Sequence, residues 1–213
     1  MPSLRRITSS AGILFMPLAL AACGTATKSL EGYTPSTSLT GLKQYQSAKP
    51  TLVYTRPGAP GLGNYNSFII DPVRVNYRNG SIKGLDQKQV QKMRKKLRAQ
   101  LIAELAASDY RIVTKPGRKT MRISMTIDNL KAPSAVTNVS NLVLPFSLAV
   151  GEVTIEGAFR RSSTNRIDAV VVNRAQGQRL LNSKPWSTWS DAEKSFKEWA
   201  VGIRKAVDRA HGK

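Results

Sequence analysis

The most suggestive spacing in this sequence is that of Glu152 and Glu156, four residues apart in a stretch that reads as β-strand. Strand side chains alternate between faces, so both carboxylates fall on one face, where they could serve as general acid and base or hold a cation. The plainer reading is a solvated sheet face answering nearby Arg or Lys. The one histidine, His211, stands third from the C-terminus, beyond the last apolar stripe. A fraying tail there would give a catalytic base no fixed position. A single Cys excludes an intramolecular disulfide and any multi-Cys metal site. With His211 so placed, a His-based Ser or Cys triad is excluded too. Gly58, Gly61 and Gly63 lack phosphate-loop spacing, and Pro60 among them removes an amide donor. No catalytic residue and no metal ligand is therefore assigned.

Charge is the stronger signal. The 213 residues carry 33 Lys+Arg against 13 Asp+Glu, a net charge of +20. Lys83, Lys88, Lys92, Arg94, Lys95, Lys96 and Arg98 crowd one short stretch in which Asp86 is the single acid. Lys88, Lys92, Lys95 and Lys96 fall on one side of a helix, opposite Val90, Met93 and Leu97, and form a candidate contact for an anionic partner. No aromatic residue is interleaved with them, which disfavours nucleic acid. A second candidate contact is apolar: the loop 131–147 carries Leu142, Leu144 and Phe146 near Pro145, either covering the sheet or meeting a partner or bilayer.

These residues must be positioned by regular elements. Phe68-Ile69-Ile70 and Val73 to Tyr77 read as one strand interrupted at Asp71-Pro72, where proline demands a bulge or an edge. Residues 86–107 form a helix with Val90, Met93, Leu97, Leu101 and Leu105 on its apolar face. Tyr110–Thr114 and Met121–Asp128 read as a hairpin turning at Pro116-Gly117, the second strand with one buried and one wet face. Residues 148–160 and 166–175 make another hairpin around Ser162-Ser163-Thr164-Asn165. Ser190-Asp191-Ala192-Glu193 is a capping box opening a final helix with Phe196, Trp199, Ile203 and Val207 on its stripe. The order β-α-β-β-β-β-α predicts an α+β two-layer sandwich: a mixed or antiparallel sheet of about five strands with two helices on one face.

The N-terminus gives an address. Arg5 and Arg6 precede an uncharged apolar run, Ala11 to Ala22, too short to span a bilayer. The run ends in Leu20-Ala21-Ala22-Cys23, which resembles the bacterial lipobox. That resemblance implies cleavage between Ala22 and Cys23, acylation of Cys23, and no cofactor beyond this covalent lipid. The organisation expected is a signal peptide over 1–22, an acylated Ser/Thr/Gly/Pro-rich tether over 23–50, and one α+β domain over 51–213. Leu39, Leu42 and Tyr45 are candidates to dock on that domain. Gly24 in place of an Asp after the lipidated Cys favours the outer membrane, periplasmic side, over inner-membrane retention. Cleavage removes Arg5 and Arg6 and no acid, so 31 basic residues face 13 acidic ones. Anionic lipid, lipopolysaccharide and acidic envelope proteins are the matching partners.

Further motifs carry a family resemblance. Gly41-Leu42-Lys43-Gln44-Tyr45, Tyr65 with Phe68-Ile69-Ile70-Asp71-Pro72-Val73, Gly151-Glu152-Val153-Thr154-Ile155-Glu156, and Trp186, Asp191, Phe196 and Trp199-Ala200 stand in order over about Leu39 to Val207. The chain thereby resembles a family of uncharacterised proteobacterial lipoproteins catalogued as a domain of unknown function. Arg160 to Asn165 departs from that family's usual turn and is more basic. The family has no assigned activity, so the resemblance implies no catalytic residue. The expected function is non-enzymatic: an anchored domain that binds an envelope component through its basic helix. The alternative is a lipid or lipopolysaccharide carrier, or an accessory of an outer-membrane assembly or transport complex. A hydrolase using Glu152 and Glu156 is a third reading.

Overall fold

The structure, a computed structural model, describes residues 33–48, 51–76, 87–128, 152–176 and 190–213, without the side chains of 46–48, 89, 152, 153, 175, 176, 190–193 and 195. The strands are β1 (Lys43–Ala48), β2 (Thr51–Thr55), β3 (Ser67–Ile70), β4 (Arg74–Val75), β5 (Arg111–Ile112), β6 (Thr120–Asp128), β7 (Glu152–Arg161) and β8 (Arg166–Gln176). The helices are α1 (Gln87–Ala106) and α2 (Ser190–Ala210). One mixed sheet runs β1-β2-β8-β7-β6-β3-β5, with β4 also on β6. The class is α+β as expected, but among the described residues the sheet has eight strands and not about five.

Departures from the expected arrangement have physical causes. β1 and β2 form an antiparallel hairpin in the region read as tether and domain start. β1 carries no apolar alternation because it is an edge strand, with Tyr45 46% exposed. β5 is not the hairpin partner of β6, because β3 lies between them and pairs with both in parallel. All four β3 residues are buried, the continuous pattern of an inner parallel strand. A further departure concerns the C-terminus and is described with the candidate site.

The interruption at Pro72 is as expected. Asp71, Pro72 and Val73 bridge the gap between β3 and β4 opposite only Ser124 and Met125, a one-residue bulge against β6. Helix α1 lies across this break. Arg94 Nε donates to the Val73 carbonyl at 2.5 Å and Arg98 Nε to the Ile70 carbonyl at 3.0 Å, occupying acceptors beside the bulge.

Both helices share one face of the sheet. Val90, Met93, Leu97, Leu101 and Leu105 of α1 pack with Phe196, Trp199, Ile203 and Val207 of α2 over Ile123, Met125, Ile127, Ile155 and Phe159. Gly157 makes room for this: a Cβ there would stand 2.8 Å from Trp199 Cη2. α1 ends in a Schellman turn. Asp109 adopts φ 64°, Asp109 N–H donates to the Ala106 carbonyl, and Tyr110 N–H donates to that of Leu105. α2 begins at Ser190 as the capping sequence predicts, although the side chains of that box lie outside those described.

The opposite face is not simply wet. Residues 33–42, expected within the tether, lie across it. Tyr33, Leu39 and Leu42 pack with Ala158, Val170, Val172, Leu52, Tyr54 and Ile167 in a second apolar cluster. Arg56 fastens the far end of this segment, its guanidinium donating to the carbonyls of Thr40, Gly41 and Ile167.

Candidate functional site

The basic candidate is resolved into two kinds of residue. Lys88, Lys92 and Lys95 are exposed on α1 and Lys96 is half-buried, all away from the Val90–Met93–Leu97 stripe. Their spacing places them along one outward strip. Arg94 and Arg98, counted with them by charge alone, are turned onto the β3–β4 edge. The outward strip of α1 is therefore a lysine surface. Lysine is a compact, hydrated point charge, suited to a charged surface more than to one bidentate ligand.

The carboxylate pair has another character. Alternation along β7 puts Ile155 and Phe159 on the helix side and Thr154 and Glu156 on the other, as expected. Yet Glu156 is only 1% exposed, so the reading of a solvated carboxylate is corrected. The cause is the segment 33–42, which covers it. Glu156 Oε2 accepts Ser36 N–H at 2.6 Å, and Oε1 accepts Thr37 N–H at 2.8 Å and the Ser36 hydroxyl at 3.0 Å. Tyr33 OH donates to Asp128 Oδ2 at 2.8 Å and lies 3.4 Å from Glu156 Oε2. One hydroxyl proton cannot serve both, so the shorter contact to Asp128 is the hydrogen bond. Arg174 sits 6.0 Å over the Tyr33 ring and donates to Thr154 Oγ1. Glu156 thus latches the N-terminal segment to the sheet. The side chain of Glu152 lies outside those described.

His211 corrects the expectation of a frayed tail. α2 closes in a second Schellman turn, with Gly212 at φ 75° and Lys213 N–H donating to the Asp208 carbonyl. The His211 ring lies 5.3 Å from that of Tyr110, and its Nδ1 is 2.8 Å from the Val207 carbonyl oxygen. Tyr110 OH donates to Asp208 Oδ1, and Arg204 bridges Asp208 and Glu104. The cluster joins the C-terminal ends of α1 and α2.

Burial first, then the hydrogen bond to Asp208 and its charge, push the Tyr110 hydroxyl up to about 12. Its ordinary value is 10.0. The unfolded chain releases this proton first, so the Tyr110 contribution to stability is intact below pH 10 and lost as pH rises through about 12. Urea midpoints measured from pH 9 to 12 are expected to fall more steeply for the wild-type chain than for Tyr110→Phe. Parallel declines would contradict this.

Among the described residues no group of three or more His, Cys, Asp or Glu side chains could hold a metal ion, and no helix is long and apolar enough to cross a membrane. Ala22, Cys23, Leu142, Leu144 and Phe146 lie outside the described residues, as does the loop 131–147. The residues that sequence reasoning missed are Tyr33, Ser36 and Thr37. Leu39 and Leu42, marked as candidates to dock, were the one nearby signal.

A family model described as a protein of unknown function (DUF3313) matches residues 33–203. No curated protein matches the chain. Among solved structures, the PelC dodecamer from Paraburkholderia phytofirmans is similar at 12% identity and a TM-score of 0.43, covering 72% of this chain and 97% of that one. A minor lipoprotein from Acinetobacter baumannii is similar at 10% identity and a TM-score of 0.31, covering 68% and 92%. A DUF4136 family protein from Bacteroides thetaiotaomicron is similar at 10% identity and a TM-score of 0.37, covering 77% and 98%.

Proposed function

The chain belongs to the DUF3313 family of unknown function, and on that footing we propose that it is an outer-membrane lipoprotein whose periplasm-facing domain binds an anionic envelope component. The acyl chains on Cys23 hold it to the membrane, and the lysine strip of α1 makes the contact. The observation that carries this reading is the division of labour on α1. Arg94 and Arg98 are committed to strand carbonyls, while Lys92 and Lys95 are exposed to solvent. A fold that needed only solubility would spread such charge; α2 alternates Lys194, Lys197 and Glu198 on its outside.

The latch sets the reach of the domain. Ten residue steps separate Cys23 from Tyr33, which extend to roughly 35 Å at most. A short leash keeps the domain near the membrane surface, where lipid headgroups, lipopolysaccharide phosphates or an acidic neighbour supply counter-charge for the lysine strip. The role is binding and not catalysis. Glu156 is buried and engaged by the covering segment, which supports that reading. The test is capture from detergent-solubilised envelopes by the full chain and by a variant with Lys88, Lys92, Lys95 and Lys96 changed to Glu. Capture by a folded variant at the wild-type level would overturn the proposal.

A further inference from the structure

On the sheet face away from the helices, Arg74, Arg122 and Arg160 stand on three adjacent strands, with Asp71 beside Arg122. Arg122 of β6 stands directly opposite Arg160 of β7 in the antiparallel register. Arg74 of β4 pairs with Thr126 of β6, which places it on the same face. Like charges directly opposite one another on neighbouring strands are destabilising, so the pairing needs a counter-charge. Asp71, set at the bulge, is the adjacent acid, and it is shared. Its Oδ2 accepts the Ser124 hydroxyl at 2.6 Å, and its Oδ1 lies 3.9 Å from Arg122 Nη1. Among the described residues, Arg160 Nη1 reaches only Ser124 Oγ, at 3.4 Å.

The polar inventory is incomplete. Arg122 Nε is buried without a hydrogen-bond partner among the described residues, although the Arg122 side chain is 32% exposed and Asp71 21%. Arg74 is exposed. The guanidinium of Arg160 is pushed below its ordinary range by burial first, then by Arg74 and Arg122, with Asp71 and Glu156 acting against them. The three cations therefore feel one another across a site that remains open to solvent.

We propose that Arg74, Arg122 and Arg160 form a binding site for a phosphate group, carried either by the free ion or by a lipid headgroup. Planar donor forks on neighbouring strands match the tetrahedral oxyanion, which several arginines can share. Ser124 supplies a hydroxyl between Arg160 and Asp71, and Asp71 holds Arg122 in place. The lysine strip of α1 lies on the other side of the sheet, so this site stands whether or not that strip binds a partner.

Two soluble probes separate the sources. Inorganic phosphate represents the free ion, and glycerophosphoglycerol represents a phosphodiester headgroup. The full chain in neutral detergent is titrated with each, followed by thermal midpoint and by ³¹P line broadening. At least one probe is expected to raise the midpoint and broaden its resonance. Arg160→Gln is expected to weaken that binding about tenfold, and Arg160→Lys, which keeps charge without the fork, to weaken it less. Removing one of two facing cations also relieves repulsion, so the Arg122→Gln midpoint without phosphate is expected to equal or exceed the wild-type one. A response to inorganic phosphate assigns the free ion; a response to glycerophosphoglycerol alone assigns the headgroup. No response to either, or a response unchanged in the Arg122→Gln and Arg160→Lys chains, would overturn the site.

Discussion

Glu156→Ala is expected to lower the stability of the domain by about 3 kcal/mol and to free the segment from Tyr33 to Leu42. The mutation removes the acceptor of Ser36 N–H, Thr37 N–H and the Ser36 hydroxyl together. Hydrogen bonds to a carboxylate are worth about 1.5–3 kcal/mol each when net gains are counted, and part of the loss returns as the freed amides find water. A change of about 3 kcal/mol in a domain of this size lowers the thermal midpoint by roughly 6–12 °C. A local readout separates unlatching from general weakening. Lys43 follows the segment and is exposed, so limited trypsin should cut there much faster in the variant. Glu156→Gln, which keeps one acceptor oxygen, is expected to fall about midway. An unchanged midpoint with unchanged cleavage at Lys43 would mean that the latch does not hold the segment. Release would also roughly double the leash, from ten to twenty residue steps between Cys23 and the first sheet strand, or from about 35 to about 70 Å.

The second large effect is on binding. Each basic residue near an anionic surface contributes about 1 kcal/mol. Neutralising four would cost about 4 kcal/mol, a thousandfold in affinity, and reversing Lys88, Lys92, Lys95 and Lys96 to Glu adds repulsion. Capture of the envelope partner by that variant is therefore expected to fall below detection. Wild-type capture should weaken steadily with salt, since exposed charges are screened beyond a Debye length of about 8 Å at physiological ionic strength. Folding should survive, because the changes are on the outer face of α1, away from Val90, Met93 and Leu97. Lys88→Glu near the helix N-terminus is even favoured by the helix dipole. Circular dichroism and an unchanged urea midpoint verify this, so that lost capture is assigned to the surface.

Much of this fold was legible in apolar spacing. The stripes of α1 and α2, the alternation of β6 and β7, the bulge at Pro72 and the hairpin around Ser162 to Asn165 all follow from periods of 3.6 and 2 and from proline chemistry. What escaped was set by partners distant in sequence. β1 exists through pairing with β2, and its Lys-Gln-Tyr-Gln-Ser-Ala sequence has no apolar face to reveal it. β5 has two residues and is defined by its neighbour β3. Glu156 looked solvated because an acid between polar neighbours marks a wet face, until a segment 120 residues away arrives to cover it. The arginine cluster needed the register of β6 against β7, and of β4 against β6, before its members could be seen as neighbours. For the lysine strip the sequence placed Lys88, Lys92, Lys95 and Lys96 opposite Val90, Met93 and Leu97, and the structure adds that Arg94 and Arg98 of the same stretch turn onto strand carbonyls.

The most direct measurement places a photoactivatable cross-linker at Lys92 on α1 in intact cells, with Lys197 on the charge-balanced α2 as the matched exposed control. A discrete adduct from position 92 that disappears when Lys88, Lys95 and Lys96 are changed to Glu, with none from position 197, is the expected result. Adducts of equal yield from both helices, or none from position 92 in cells that hold the anchored protein, would contradict the proposal that α1 is the binding surface.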